Sequence, residues 1–314
     1  MTSKAGASVT LSTDSVAQTA TLSEFTRPPE SMWRMFWRRF LRHKPAMISL
    51  VVLLVLTVAS FGVSLFVSED AANRIEVTMM RTPPTWANPF GMDDVGRDIF
   101  LRSLFGGQIS LRIGILAALI SMTIGVTVGT AAGYNSGWID NVLMRFTDAL
   151  LSIPTLFILI VLTRVLDGRF GVGNVLLITV VIGALSWMRV SRIVRANVLS
   201  LKEQDFVLAA RSLGVRSWRI LLRYIVPNTL APIVVAATLG VGRAIIFEAS
   251  LSFLGLGVQP PTATWGSMLN RAQAYLVTAP WIAIFPGLLI LITVLCVNFV
   301  GDGLRDAFDP RSLR

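Results

Sequence analysis

Long apolar runs separated by charged segments constrain this chain more than any other feature. Six stand out, near residues 46–67, 108–134, 142–165, 173–193, 229–254 and 281–300. About 20 apolar residues in an α-helix cross the hydrocarbon core of a bilayer. Lipid offers backbone N–H and C=O groups no partner, so a spanning segment satisfies them within itself. The predicted fold is therefore all-α: a polytopic membrane protein with six transmembrane helices. Only 15% of the 314 residues are charged, 54% are hydrophobic, and the mean hydropathy is +0.67. Soluble domains carry about 25% charged residues, so this chain has too little polar surface for a water-soluble globule. Gly114, Gly125, Gly129 and Gly133 punctuate the second run and predict close packing against a neighbouring helix. Pro154 falls inside the third.

The net charge is +10 and the pI about 11.0. In a soluble chain that balance points to nucleic acid. Here it follows membrane topology, because Lys and Arg collect on the cytoplasmic side; no nucleic-acid partner is expected. Arg34, Arg38, Arg39, Arg42 and Lys44 precede the first run. Arg192, Arg195, Lys202, Arg211, Arg216, Arg219 and Arg223 lie between the fourth and fifth, and Arg305, Arg311 and Arg314 close the chain. Six crossings put all three groups, and both termini, on the cytoplasmic side. Residues 1–30, rich in Ser, Thr and Ala without periodicity, read as a disordered cytoplasmic tail and not a cleavable signal peptide. Residues 31–67 form a juxtamembrane segment and the first span, 68–107 an extracytoplasmic loop, 108–303 the core with a cytoplasmic loop at 199–228, and 304–314 a cytoplasmic tail.

Several chemistries are excluded. A P-loop needs Gly-x-x-x-x-Gly-Lys-Ser/Thr, and none of Lys4, Lys44 and Lys202 sits in one. His43 and Cys296 are the sole members of their types, so a Ser-His-Asp triad, a tetrahedral metal site and an intrachain disulfide have no ligands to draw on. No catalytic, cofactor or metal residue is expected. The acidic pairs Asp93/Asp94 and Asp302/Asp306 read as solvated surface charge. Ionisable groups inside spans are costly and functional by default. Arg243 and Glu248 in the fifth run, and Asp148 near the inner end of the third, are the candidates. They pair with each other or with a second subunit, or they touch a transported substrate.

The cytoplasmic loop is the most informative stretch. Phe206, Ala209, Ala210 and Leu213 fall on one helical face, and Trp218, Leu221, Leu222 and Ile225 on one face of a second helix. Gly214 stands between them, where a helix end needs positive φ. Ser217 is placed to cap the second helix, and Pro227 to turn the chain into the fifth span. The uncovered apolar faces pack on the protein's own helix ends or the lipid interface, or dock in a partner's groove.

The segment Phe206-Val-Leu-Ala-Ala-Arg-Ser-Leu-Gly214, followed by Val226-Pro227-Asn228, resembles the EAA loop of binding-protein-dependent ABC importer permeases. Ala209, Ala210, Gly214 and Pro227 match that pattern; Leu208 replaces its Glu and Tyr224 a common His. The resemblance covers most of the chain beyond the tail. Gly91-Met-Asp-Asp-Val-Gly-Arg-Asp98, Asp148-Ala-Leu-Leu-Ser-Ile-Pro154, Ser186-Trp-Met-Arg-Val-Ser-Arg-Ile-Val-Arg195, Glu248-Ala-Ser-Leu-Ser-Phe-Leu-Gly-Leu-Gly-Val-Gln-Pro-Pro261 and Gly301-Asp-Gly-Leu-Arg-Asp-Ala-Phe-Asp-Pro310 are similar to the C-type permease of dipeptide and oligopeptide importers.

The resemblance implies a type I ABC importer permease in the bacterial cytoplasmic membrane. Its implied partners are a B-type permease, two ATPase subunits that bind ATP and Mg, and an extracytoplasmic substrate-binding protein. Phe206, Ala209, Ala210, Arg211, Leu213, Gly214, Trp218 and Pro227 would couple to the ATPase. The implied cargo is peptide, though related permeases carry nickel or other small solutes. An ion-driven secondary transporter would favour inverted repeats and a midplane carboxylate relay; neither is evident. A scaffold anchoring a partner through the loop is a further rival. Purified alone, the chain is expected to release no phosphate from ATP and to move no cargo down a proton gradient. Either activity from the chain by itself would overturn the division of labour.

Overall fold

The computed structural model describes residues 32–166 and 174–308, and every regular element among them is helical. The tail at 1–30 and the chain end at 309–314 lie outside the described residues. In order the helices are α1 (Met32–Arg42), α2 (Lys44–Gly62), a short α3 (Glu69–Ala72), α4 (Ile99–Asn135), α5 (Gly137–Ser152), α6 (Thr155–Leu166), α7 (Asn174–Lys202), α8 (Asp205–Ser212), α9 (Ser217–Ile220), α10 (Val226–Asn228), α11 (Leu230–Phe253), α12 (Trp265–Ala272) and α13 (Trp281–Phe308). Five of these, α2 with the 3₁₀ turn that extends it, α4, α7, α11 and α13, are long and apolar enough to cross a membrane.

The third predicted span is broken. α5 and α6 meet at 88°, and counting the pair as one crossing gives six. Pro154 explains the bend: proline donates no N–H and excludes the helical region from the residue before it. Ile153 is accordingly extended, at φ −92° and ψ 128°. The other helices overrun the apolar runs. α4 begins at Ile99, inside the segment read as loop, and its 37 residues reach about 55 Å at about 1.5 Å per residue. α7 continues to Lys202 and α13 to Phe308, into segments read as loop and tail. Polar residues end an apolar run, but not the helix.

α4 and α7 form the central seam. Gly125, Gly129 and Gly133 recur every fourth residue along one face of α4. A Cβ at Gly125 would stand 2.6 Å from Val190 Cβ, at Gly129 2.4 Å from the Ser191 carbonyl oxygen, and at Gly133 2.8 Å from Val198 Cβ. Gly183 of α7 returns the contact, 2.7 Å from Ile120 Cβ. Gly114 takes α11 in the same way, 2.8 Å from Ile245 Cγ1. Apolar side chains gain nothing over lipid by touching each other, so helices in a membrane associate through such close backbone approach. Ile113, Ala117, Ile178, Ile182 and Leu185 fill the seam beyond the glycines.

The same logic closes the N-terminal helices onto α13. A Cβ at Gly303 would lie 2.4 Å from Ala46 Cβ, and the rings of Phe36 and Phe308 are 4.5 Å apart. His43 Nδ1 accepts the Ala46 N–H at 3.2 Å as the N-cap of α2, and its Nε2 lies 3.4 Å from the exposed Asp306 carboxylate. The one histidine thus has a structural role. The bundle has two ends: α1, the loop 203–229 and the C-terminus of α13 share one, and residues 66–98 with 254–280 form the other.

Gly129→Ala is expected to destabilise the seam by about 1–3 kcal/mol through overpacking. Gly62→Ala, where a Cβ meets nothing within 4 Å, is the control. Thermal survival of the monodisperse peak in detergent measures both, and equal losses would exclude the seam as the cause.

Candidate functional site

Two ends and one mid-bundle face hold the groups that chemistry singles out. At the first end, α8 stops in a left-handed corner. Gly214 has φ +73°, its N–H donates to the Arg211 carbonyl at 3.0 Å, and the Val215 N–H reaches back to the Ala210 carbonyl at 3.1 Å. This is the Schellman arrangement, in which glycine carries the positive φ. Gly214 stands where the sequence reading puts it. Ser217 does not: it is the first residue of α9, and no side chain caps that helix.

The apolar faces divide differently from the simple helical projection. Val207, Ala210, Ile220 and Ile225 turn inward and join Val194 and Val198 of α7 and Ile233 of α11. Phe206, Leu213 and Trp218 turn outward, 42%, 83% and 56% exposed, with Ala209, Arg211, Leu222 and Pro227 exposed beside them. Of the predicted first face only Ala210 is covered by the protein itself. A single apolar stripe was the expectation; the chain carries one on each side of α8. The second difference is a π-helical turn at Leu221–Ile225, where the Val226 N–H bonds the Leu221 carbonyl. Pro227 accounts for it: its ring crowds the carbonyl four residues back, and widening the turn keeps the chain helical. Pro227 thus sits just after a bulge and two residues before the turn at Thr229 that leads into α11. Arg211, Arg216, Arg219 and Arg223 are exposed around the outward face, and the Arg219 guanidinium lies 5.7 Å from the Trp218 ring centre.

The opposite end is a polar knot. Asp93, only 5% exposed, accepts the N–H groups of Val95 at 3.0 Å and Arg97 at 2.9 Å, and Arg97 Nε at 2.7 Å. Asp94 lies 3.5 Å from Arg271. Asp98 caps α4 through the Leu101 N–H at 3.0 Å and accepts Asn88 Nδ2 at 2.8 Å. Asp93 and Asp94 are thus paired and enclosed, contrary to the solvated reading. Loop burial has no periodicity from which the sequence could announce it.

Glu248 and Arg243 do not pair with each other. Five residues separate them on α11, which turns them about 140° apart. Glu248 is fully buried. Its Oε1 accepts the hydroxyls of Ser252 and Thr264 at 2.7 Å each, and its Oε2 faces the Ser110 hydroxyl at 3.4 Å. Thr264 also caps α12 in a capping box with Ser267. The carboxylate therefore joins α4, α11 and the start of α12. Asp148 pairs with Arg192 of α7, both about half exposed. One partnership escaped the sequence reading: Asp140 of α5 takes Arg195 of α7 through both oxygens, at 2.5 and 2.6 Å. Arg243 is half-buried, beside Arg189.

The family described as binding-protein-dependent transport system inner membrane component matches residues 125–314. The N-terminal TM domain of oligopeptide transport permease C matches residues 31–84. The glutathione transport system permease protein GsiD of Escherichia coli O6:K15:H31 is 44% identical over 279 residues, 89% of this chain and 90% of its own length. Its counterpart from Pectobacterium atrosepticum is 43% identical over 279 residues, 89% and 91% of the two chains. A chain of the MetNI methionine ABC transporter in an inward facing crystal form shares the fold, with TM-score 0.53 over 67% of this chain and 98% of that one at 17% identity. The chain belongs to the binding-protein-dependent transport system inner membrane components, as a multi-pass permease subunit of the oligopeptide permease C branch with the type I ABC importer fold.

Proposed function

We propose that this chain is the C-type permease of an ATP-driven importer of short peptides. It forms the translocation path with a B-type permease and receives cargo from an extracytoplasmic binding protein. Two ATPases, which bind ATP and Mg, engage the two permeases; this chain carries no cofactor. Relatives named as glutathione transport system permeases support a small peptide cargo, glutathione among the candidates. The basic segments at 34–44 and 192–223 favour a cytoplasmic position for both termini and the loop.

One observation carries the coupling assignment: the outward face of Phe206, Ala209, Leu213 and Trp218 is apolar, exposed and rigidly seated. A monomeric soluble surface rarely leaves such a patch open, and an amphipathic helix of this kind fits a groove on a partner. The basic rim favours an acidic margin on that groove. Arg211 belongs to this rim, while Ala210 and Pro227 act from beneath, by seating α8 and setting the bulge. Because the inward stripe is packed on α7 and α11, the loop moves with those helices as one body. ATPase closure then shifts a two-state equilibrium between inward- and outward-facing spans.

Gly214→Val tests this. A Cβ there meets nothing within 4 Å, so the substitution acts through φ alone, at a cost of about 1–2 kcal/mol or more. In the assembled complex, ATP-dependent peptide uptake is expected to fall at least about tenfold while the spans stay inserted. Gly214→Asn, which tolerates the left-handed region, is expected to retain most uptake. Unchanged uptake by Gly214→Val would refute the corner's role.

A further inference from the structure

Arg189 and Arg243 lie near the middle of α7 and α11, Arg189 exposed and Arg243 half-buried, on helices long and apolar enough to cross a membrane, where ionisable groups are costly. Neither has a carboxylate within ion-pair reach among the described residues. Both line one concavity with Leu151, Thr155, Leu185 and Ser186. Two arginines lining one concavity without a counter-charge suit an anion.

The arginines below them show what is missing. Along α7, Arg195 takes Asp140 and Arg192 takes Asp148, both from α5. Three residues further up the same helix stands Arg189, and there α5 ends. The chain supplies Leu151 and then the 88° bend in place of a third acid. Thr155 opens α6, so the N-terminal end of that helix, with its partial positive charge, borders the same concavity. In secondary transporters the N-terminal ends of broken helices point at anionic groups of the cargo, and the same electrostatics holds at any helix N-terminus. A planar guanidinium matches a carboxylate with two parallel hydrogen bonds.

We infer that Arg189 and Arg243, with the N-terminal end of α6, form a transient site for the C-terminal carboxylate of the peptide cargo as it crosses the membrane. The inference rests on the peptide-importer reading above. The lower arginines have fixed acids in this chain and act as staples. The upper pair is left open for a carboxylate that arrives and departs.

The test uses the complete complex, both permeases and both ATPases with the binding protein, in proteoliposomes. The probes are radiolabelled glutathione and trialanine, each as the free acid and as its C-terminal amide, at concentrations that saturate the binding protein. Wild type is expected to import the free acids faster than the amides. Arg189→Gln/Arg243→Gln is expected to lose free-acid uptake at least about tenfold and to bring the acid-to-amide ratio close to one. Basal ATP hydrolysis and co-purification of the partner permease should be unchanged, and Arg189→Lys/Arg243→Lys should keep most of the preference. Three results would overturn the site: wild-type free-acid uptake by the Gln variant, equal loss of acid and amide uptake, or loss of the partner permease. The last would make the pair a fixed link to a partner carboxylate. No ATP-dependent import of any probe by wild type would instead defeat the importer reading itself.

Discussion

Close backbone approach between α4 and α7 is the contact on which the rest of the bundle is built. In lipid, an apolar side chain gains little by leaving its surroundings for another apolar side chain. What holds two helices together is the density of contact, and density depends on how near the backbones come. The glycines at 125, 129 and 133, answered by Gly183, let them come very near. Three helices then dock on this pair: α11 at Gly114, α2 through the Gln108 amide bonded to the Ser60 carbonyl, and α5 through its two acids; α13 packs in turn on α11 and α2. α4 overruns the hydrocarbon core, so the seam also carries the segments at both ends.

Those ends are built by opposite means. At one, the buried carboxylates of Asp93 and Glu248 are held by several donors each. Asp93 is closed around by N–H donors, and Glu248 by three hydroxyls, one of which caps α12. Burying a carboxylate is tolerable when its oxygens are satisfied, and the satisfied groups tie residues distant in sequence into one body. At the other end, apolar groups are left unsatisfied. α8 has an inner stripe that belongs to the protein's own core and an outer one that belongs to nothing in this chain.

The charged groups within the bundle sort by whether the chain supplies their counterpart. Asp140 with Arg195 and Asp148 with Arg192 hold the α5 half of the broken span against α7. Above them the broken helix withdraws, and Arg189 and Arg243 face a concavity. Pro154 thus both ends the ladder of ion pairs and opens the space beyond it.

The sequence by itself determined the solvent, the class and the crossings, because the length of an apolar run is set by bilayer thickness and the need for internal backbone hydrogen bonds is absolute there. It also located the corner at Gly214, since a left-handed helix end strongly favours one residue type, and the glycine seam, since small residues every fourth position mark a helix contact. Only the tertiary structure decided where helices end, because polar residues continue an α-helix as readily as apolar ones. It alone showed that Pro154 bends one span while Pro227 merely widens a turn, an outcome set by what packs around each. It alone separated the two stripes of α8, and it alone assigned Glu248 to hydroxyls, Asp148 to Arg192 and Arg243 to no acid in the described chain. Partners in an ion pair or a hydroxyl cluster come from helices far apart in sequence, and no local pattern records which of them will meet.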